Sequence, residues 1–273
     1  MDETFKFTTD SSGQITGISL VGARYDHVLR VPDGTTFTSN ANKVTETISG
    51  DRATVTVIYT QDAADASIYR ISSESTVIKA PSTDKHYFSF TVTGGAVTAA
   101  SETFTFGTHT HTRDLTNTPA SSFSASAAGV TETRVVGDLI ETLNFVQVGS
   151  SGEYALASDT RTVIAQGSAT TALNVEPFER DQFVFDASGN VTGVQAILWD
   201  GSTKTVTPGE HTSYTQLEKG FVLETHTGTH HTSFELFYDG NGDGKYTAIA
   251  EGNGTSVDLV GIKAQLTGIE GLL

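Results

Sequence analysis

The stretch 5-FKFTTDSSGQITG-17 sets two phenylalanines two positions apart, then a Gly-containing turn, then an apolar residue before threonine. Residues two apart in a strand share a face, so Phe5 and Phe7 point the same way. The Asp-Ser-Ser-Gly run after them is a turn signal. The stretch therefore reads as strand, tight turn, strand. It recurs as 88-FSFTVTGGAVTA-99 and 183-FVFDASGNVTG-193. Each recurrence brings its own pair, Phe88 with Phe90 and Phe183 with Phe185, and all three pairs are expected to face inward.

Other landmarks follow in the same order. An aromatic after small hydroxyl residues leads to Glu-Thr in 35-TTFTSNANKVTET-47, 121-SSFSASAAGVTET-133 and 212-TSYTQLEKGFVLET-225. A tyrosine then follows a short loop at Tyr69, Tyr154 and Tyr246. The stretches 78-IKAPSTDK-85 and 175-VEPFERDQ-182 carry prolines, which break ladders, and read as joints. Between these landmarks the apolar period is two, as in 52-RATVTVIYT-60. The expected fold class is all-β: three related antiparallel units of about 85–95 residues, with a short C-terminal helix. The expected boundaries are 1–80, 81–177 and 178–256, with an amphipathic tail over 257–273. Thr255 or Ser256 is the expected helix cap.

Composition narrows the function. The 273 residues carry a net charge of −16 and no cysteine. No basic cluster exists for a nucleic acid to bind. Disulfides and zinc-thiolate sites are excluded. No stretch reaches the length of a membrane-spanning apolar helix. The start, 1-MDETFKFTTD-10, lacks the basic and apolar regions of a signal peptide.

The loop 239-DGNGDGKY-246 looks like the first half of a calcium loop. Asp239, Asn241 and Asp243 alternate, Gly244 permits a sharp turn, and the Lys245 carbonyl stands at the seventh position. The loop resembles the Asp-rich loops of dockerins and thrombospondin-type repeats. It departs from an EF-hand at the twelfth position, Ala250, and the neighbouring Glu251 is the expected further ligand. Calcium is the expected cofactor, stapling a hairpin between 233-SFELFY-238 and 246-YTAIA-250.

Histidines give an alternative. His109 and His111 in 108-THTHT-112 share a strand face, and His226 with His230 or His231 could meet across a turn at Gly228. Such sets suit a transition metal or haem. Outward positions on a Thr-rich face are the blander explanation. Motifs for an enzyme are absent, so none is expected. Asp62 with Asp65, and Glu179 with Asp181, fall in turns or joints and are expected to be solvated. Glu46, Glu132 and Glu224 recur without an acidic partner and suggest a scaffold role.

Taken together the features resemble the non-enzymatic proteins that bacteria export by type I secretion. Those are acidic, cysteine-free, rich in Thr, Gly and Asp, and often built from tandem β repeats that bind calcium. They end in an uncleaved C-terminal segment, which 257-VDLVGIKAQLTGIEGLL-273 looks like. The rhizobial Rap adhesins, calcium-binding lectins with repeated β domains, are similar in character. The nonapeptide repeats of the RTX class are absent, and no lectin residue carries over. The resemblance implies a secreted structural or adhesive module, exported without a signal peptide, that binds a polysaccharide, a cell surface or copies of itself. A metal or haem scavenger using the histidines is the alternative, and a hydrolase of unrecognised type the third.

Overall fold

The computed structural model describes residues 3–23, 25–164, 170–198, 201–229, 231–267 and 269–273. It is almost entirely antiparallel β. The first block of strands is β1 (Thr4–Thr9), β2 (Ile15–Leu20), β3 (His27–Val28), β4 (Thr35–Asn40), β5 (Lys43–Ser49), β6 (Ala53–Gln61) and β7 (Tyr69–Ile78). The second is β8 (His86–Thr93), β9 (Ala96–Phe106), β10 (His109–Asp114), β11 (Ser121–Ser126), β12 (Gly129–Val136), β13 (Leu139–Gln147) and β14 (Glu153–Val163). The third is β15 (Glu176–Phe185), β16 (Val191–Ile197), β17 (Thr203–Val206), β18 (Thr212–Glu218), β19 (Phe221–Thr227), β20 (Thr232–Tyr238) and β21 (Tyr246–Asn253).

Strand order is the same in each block. Paired neighbours run β3-β2-β1-β7-β6-β5-β4, then β10-β9-β8-β14-β13-β12-β11, then β17-β16-β15-β21-β20-β19-β18. The first two blocks form one 14-stranded sheet, joined where β7 pairs with β14, and the third is a 7-stranded sheet. By compactness the chain makes two parts, not three. One comprises 1–116, 123–132 and 141–163; the other comprises 117–122, 133–140 and 164–273. The boundaries expected near 80 and 177 are therefore not the boundaries of compact parts. Pro177 lies inside β15, not in a joint. The ladder with β21 shifts register between Glu176 and Arg180, and such a bulge tolerates a residue without an N–H.

Register aligns the opening and closing strands of the three blocks. The opening strand carries a bulge at Thr8/Thr9 in the first, Thr91/Val92 in the second and Val184/Phe185 in the third. Phe7, Phe90 and Phe183 each stand one residue before it. Each meets the tyrosine of the closing strand edge-on: Phe7 with Tyr69 at 5.1 Å, Phe90 with Tyr154 at 5.2 Å and Phe183 with Tyr246 at 5.0 Å. The third Phe-x-Phe pair is thus displaced by two from the alignment read in the sequence. Two residues earlier stand Phe5, Phe88 and Asp181, directly opposite Tyr69, Tyr154 and Tyr246.

Apolar clusters follow from the alternation. Phe5, Ile18, Val44, Val57 and Tyr59 fill the first block, and Phe88, Ala100, Leu115, Val130 and Phe145 fill a second cluster. In the other part, Phe183, Val194, Val222, Phe237 and Tyr246 pack on one face of the 7-stranded sheet. Leu223, Phe234, Leu236 and Ile249 alternate onto the other, against the tail. The tail forms helix α1 (Leu259–Leu266) and a single 3-10 turn, Glu270–Leu272. Asp258, not Thr255 or Ser256, caps it: its carboxylate accepts the Gly261 N–H at 2.9 Å. Ile262, Leu266, Ile269 and Leu273 are buried, so the tail is part of this core. The Gln265 amide reinforces it, donating to the Thr171 carbonyl at 2.8 Å and accepting from the Leu173 N–H at 2.9 Å.

Candidate functional site

The shared register isolates what differs in the third block. In the first block, Phe37, Glu46, Val57 and Glu74 stand opposite one another in turn across β4, β5, β6 and β7. The matching row across β18 to β21 is Tyr214, Glu224, Glu235 and Glu251. Two residues along, the first block has Thr35, Ile48, Val55 and Thr76. The third has Thr212, His226, Ser233 and Asn253. Phe5 of the first block becomes Asp181. Five of these nine positions are apolar in the first block; in the third all nine carry a polar group, and Asp181 and Glu235 are added to the two glutamates common to both.

Two glutamates are common to both rows, Glu46 with Glu224 and Glu74 with Glu251, and the first of them recurs in the second block as Glu132. Glu46, Glu132 and Glu224 are all buried. In the first block the Tyr59 hydroxyl donates to Glu46 at 2.7 Å. Tyr59 stands opposite Val44, and its counterpart opposite Val222 is Phe237, which has no hydroxyl. Glu224 is held instead by the Tyr214 hydroxyl and by His226 Nε2 at 2.8 Å. The other imidazole nitrogen, Nδ1, lies 3.0 Å from the Thr212 hydroxyl.

The remaining acids are poorly compensated. Asp181 is 9% exposed, and among the described residues no hydrogen bond or ion pair reaches its carboxylate. Burial, then the charges of Glu224 and Glu179, push it up to about 6. Burial pushes Glu235 up to about 8, with Glu179, Glu224, Asp181 and Glu251 adding to the effect. Burial also raises Glu224 against the opposing pull of His226 and Tyr214. Beside Glu235 the surface opens into a depression of about 390 Å³, lined by His226, Ser233, Glu235, Glu251 and Asn253 with the Phe234 ring. The expectation that Glu179 and Asp181 are both solvated holds for Glu179, which is exposed, and fails for Asp181. The β15 ladder carries Asp181 onto the face of Phe183, and the neighbouring strands cover it.

The calcium-type loop joins β20 to β21. The Asp239 carboxylate accepts N–H bonds from Gly242 at 2.8 Å, Asp243 at 3.2 Å and Gly244 at 3.0 Å. Asn241 accepts from Asp243 N–H at 2.9 Å, and Asp243 from Lys245 N–H at 2.8 Å. In the first block the matching Asp62 is held by the Arg70 guanidinium at 2.7 Å. Glu251 is not a ligand of this loop. It stands opposite Glu235, four residues beyond Thr247 along β21, roughly 13 Å at the rise of a strand. The chain that approaches the loop is the tail: a methyl on Gly240 would meet the Glu270 carbonyl oxygen at 2.8 Å and that of Leu273 at 3.1 Å.

The other histidines do not converge. His109 and His111 lie exposed on β10 opposite Phe106 and Phe104, and the His111 ring stacks on Phe104 at 5.3 Å. His231 sits where its carbonyl accepts the Gly228 N–H. His230 lies outside the described residues. Among the described residues no group of three or more His, Asp or Glu is gathered closely enough to hold a metal ion.

No protein-family model matches this chain, and no curated protein matches it in sequence. Of the polar patch, sequence reasoning found the recurring Glu224 and the histidine His226, and it placed Glu251 wrongly. It named Asp181 but expected it solvated, had Tyr214 only as an aromatic landmark, and missed Glu235. The β-bulge after Phe7, Phe90 and Phe183, visible only in the strand pairing, is what aligns Asp181 with Phe5.

Proposed function

We propose that this chain is a secreted, non-enzymatic binding module that holds a polysaccharide or a cell surface, with calcium stiffening its third block. The observation that carries the reading is the polar patch of the third block, at positions where the first block is mostly apolar. A face on which Asp181, Tyr214, His226, Ser233 and Glu235 stand where the first block has Phe5, Phe37, Ile48, Val55 and Val57 has given up apolar packing, and recognition is what such a loss sustains. The other blocks supply length. A net charge of −16 attracts cations and cationic polymers. The histidines support a scavenger less well, since both nitrogens of His226 are engaged and His111 stacks on Phe104.

One observation favours a second reading. Glu235, which burial holds protonated, stands beside Glu251 in an open depression, as an acid and base of a hydrolase would. A single experiment separates the two. The protein is incubated with immobilised acidic, neutral and amine-bearing polysaccharides, and retention and new reducing ends are both measured. Retention without cleavage supports the module; cleavage lost in Glu235→Gln supports the hydrolase; neither rejects both.

A further inference from the structure

We infer that the third block pairs with the third block of a second copy of this chain, antiparallel along the free half of β21 and centred on Gly252. The inference goes beyond the binding reading above and uses the edge of β21, not its polar face.

The closing strand of each block has two halves. The first half pairs with the opening strand: Tyr69 and Arg70 with β1, Glu153 and Tyr154 with β8, Tyr246 and Thr247 with β15. In the first two blocks the second halves pair with each other, Ser73–Val77 of β7 against Ser158–Thr162 of β14. That joint is two-fold symmetric in register. Ser75 and Thr160, each six residues past its tyrosine, stand opposite one another at the centre, with their hydroxyls 3.0 Å apart. On either side of them Glu74 faces Arg161 and Thr76 faces Asp159. A strand that pairs with its near-copy in such a register can pair with an identical copy about a two-fold axis.

The second half of β21 is left over. Gly252, six residues past Tyr246, holds the place of Ser75 and Thr160. β20 lies on one side of this half, and among the described residues no strand pairs with the other. The Gly254 N–H donates to the Thr232 carbonyl at 2.7 Å, toward β20. Main-chain groups alternate in direction along an antiparallel ladder, so those of Glu251 and Asn253 turn away from β20. The Ile249 carbonyl is taken by the Asn174 N–H at 2.8 Å, but the outward groups of Glu251 and Asn253 have no such partner among the described residues. Free main-chain donors and acceptors in a row are a template for a further strand. An open depression of about 660 Å³ runs along this edge, bordered by Thr170, Thr171 and Ala172. The Asp258 carboxylate accepts the Thr170 N–H at 3.1 Å, so that border is tied to the helix cap and not to β21.

A second copy fits this edge because the chain already builds the same joint between its first two blocks. In that register Gly252 stands opposite Gly252 of the partner subunit. Glu251 stands opposite the partner's Asn253, and Asn253 opposite the partner's Glu251. No like charges face one another directly, and each amide can donate to a carboxylate. Two of the three blocks are paired within the chain, and a dimer of chains pairs the third.

Sedimentation equilibrium of the full chain over a concentration series tests the inference, with amide hydrogen exchange at the two ends of the series. A monomer–dimer equilibrium is expected, with slower exchange at the N–H groups of Glu251 and Asn253 at high concentration. Asn253→Arg copies Arg161, which faces Glu74, and is expected to tighten the dimer. Asn253→Glu sets carboxylates opposite one another and is expected to weaken it. Each change should be roughly tenfold, because the two-fold axis makes every substitution act twice. Asn253 is exposed, so both variants keep the fold of the monomer. A wild type that stays monomeric throughout the series overturns the inference. So does a dimer that Asn253→Glu leaves as tight as before, or that Asn253→Arg fails to tighten.

Discussion

Asp181 stands in the third block where Phe5 stands in the first, each directly opposite the tyrosine that opens the closing strand, Tyr246 and Tyr69. Phe5 packs edge-on against Tyr59 at 5.2 Å, within the apolar core of its block. Asp181 has no such use, and its burial is an uncompensated cost. Replacing it with the residue of its sister blocks should therefore stabilise the protein. Asp181→Phe is expected to raise stability at neutral pH by about 1–3 kcal/mol, the usual penalty of a buried unsatisfied polar group. Thermal melts measure it, and a lower midpoint would show that Asp181 is satisfied in the fold.

Stability should fall as pH rises through the neutral range. Glu235 is held up at about 8 from 4.5, and Asp181 at about 6 from 3.8, both chiefly by burial. Between those limits the folded chain keeps protons that the unfolded chain has released, so raising pH favours unfolding. This contribution is fully present below about pH 4 and is lost by about pH 8. Asp186 and Asp258 act in the opposite sense. Side-chain and backbone hydrogen bonds from Asn190 lower Asp186, and the Gly261 N–H lowers Asp258; their stabilisation is lost on acidification instead. Melts from pH 4.5 to 8 should show a declining midpoint, with a shallower decline in Glu235→Gln.

Gly240 and Gly242 sit two apart in the same loop and should respond differently to alanine. A methyl on Gly240 would meet two backbone carbonyls of the tail and the Tyr238 ring, none of which can swing away freely. Gly240→Ala is expected to cost about 1–3 kcal/mol, as overpacking does, and to loosen the tail toward proteases. A methyl on Gly242 meets open space, and its cost comes from a φ of +73° alone. Gly242→Ala should therefore leave tail cleavage unchanged.

Calcium is expected to raise the melting midpoint through Asp239, Asn241, Asp243 and the Lys245 carbonyl. At a hundredfold excess over Kd the gain is about 2.7 kcal/mol. Melts with millimolar calcium and with chelator should differ in the wild type and coincide in an Asp239→Ala, Asp243→Ala double variant.

Much of the architecture was legible because local pattern and global fold agree. Period-two alternation and Gly turns specified strands and hairpins, and the landmarks Tyr69, Tyr154 and Tyr246 each fall at the start of a closing strand. The buried glutamates were visible as a recurrence. The patch was not, because a bulge changes register without leaving a mark in composition. Phe183-x-Phe185 imitates Phe5-x-Phe7, and that coincidence of spacing pushed Asp181 into an imagined joint. Glu251 was misassigned for a related reason: it is near the calcium-type loop along the chain and distant along the strand. Burial of Asp181 and Glu235 depends on which strands lie beside them, and no single stretch of sequence contains that.

The central claim is that the third block exchanged packing for recognition, and a melt with and without ligand tests it most directly. Wild type and an Asp181→Phe, Glu235→Val double variant are heated at pH 7.5, each with and without the polysaccharide that retains the wild type most strongly. The account predicts that the double variant melts higher than wild type without the polysaccharide and does not respond to it, whereas the wild-type midpoint rises on its addition. A polysaccharide-induced rise of equal size in both proteins would contradict it.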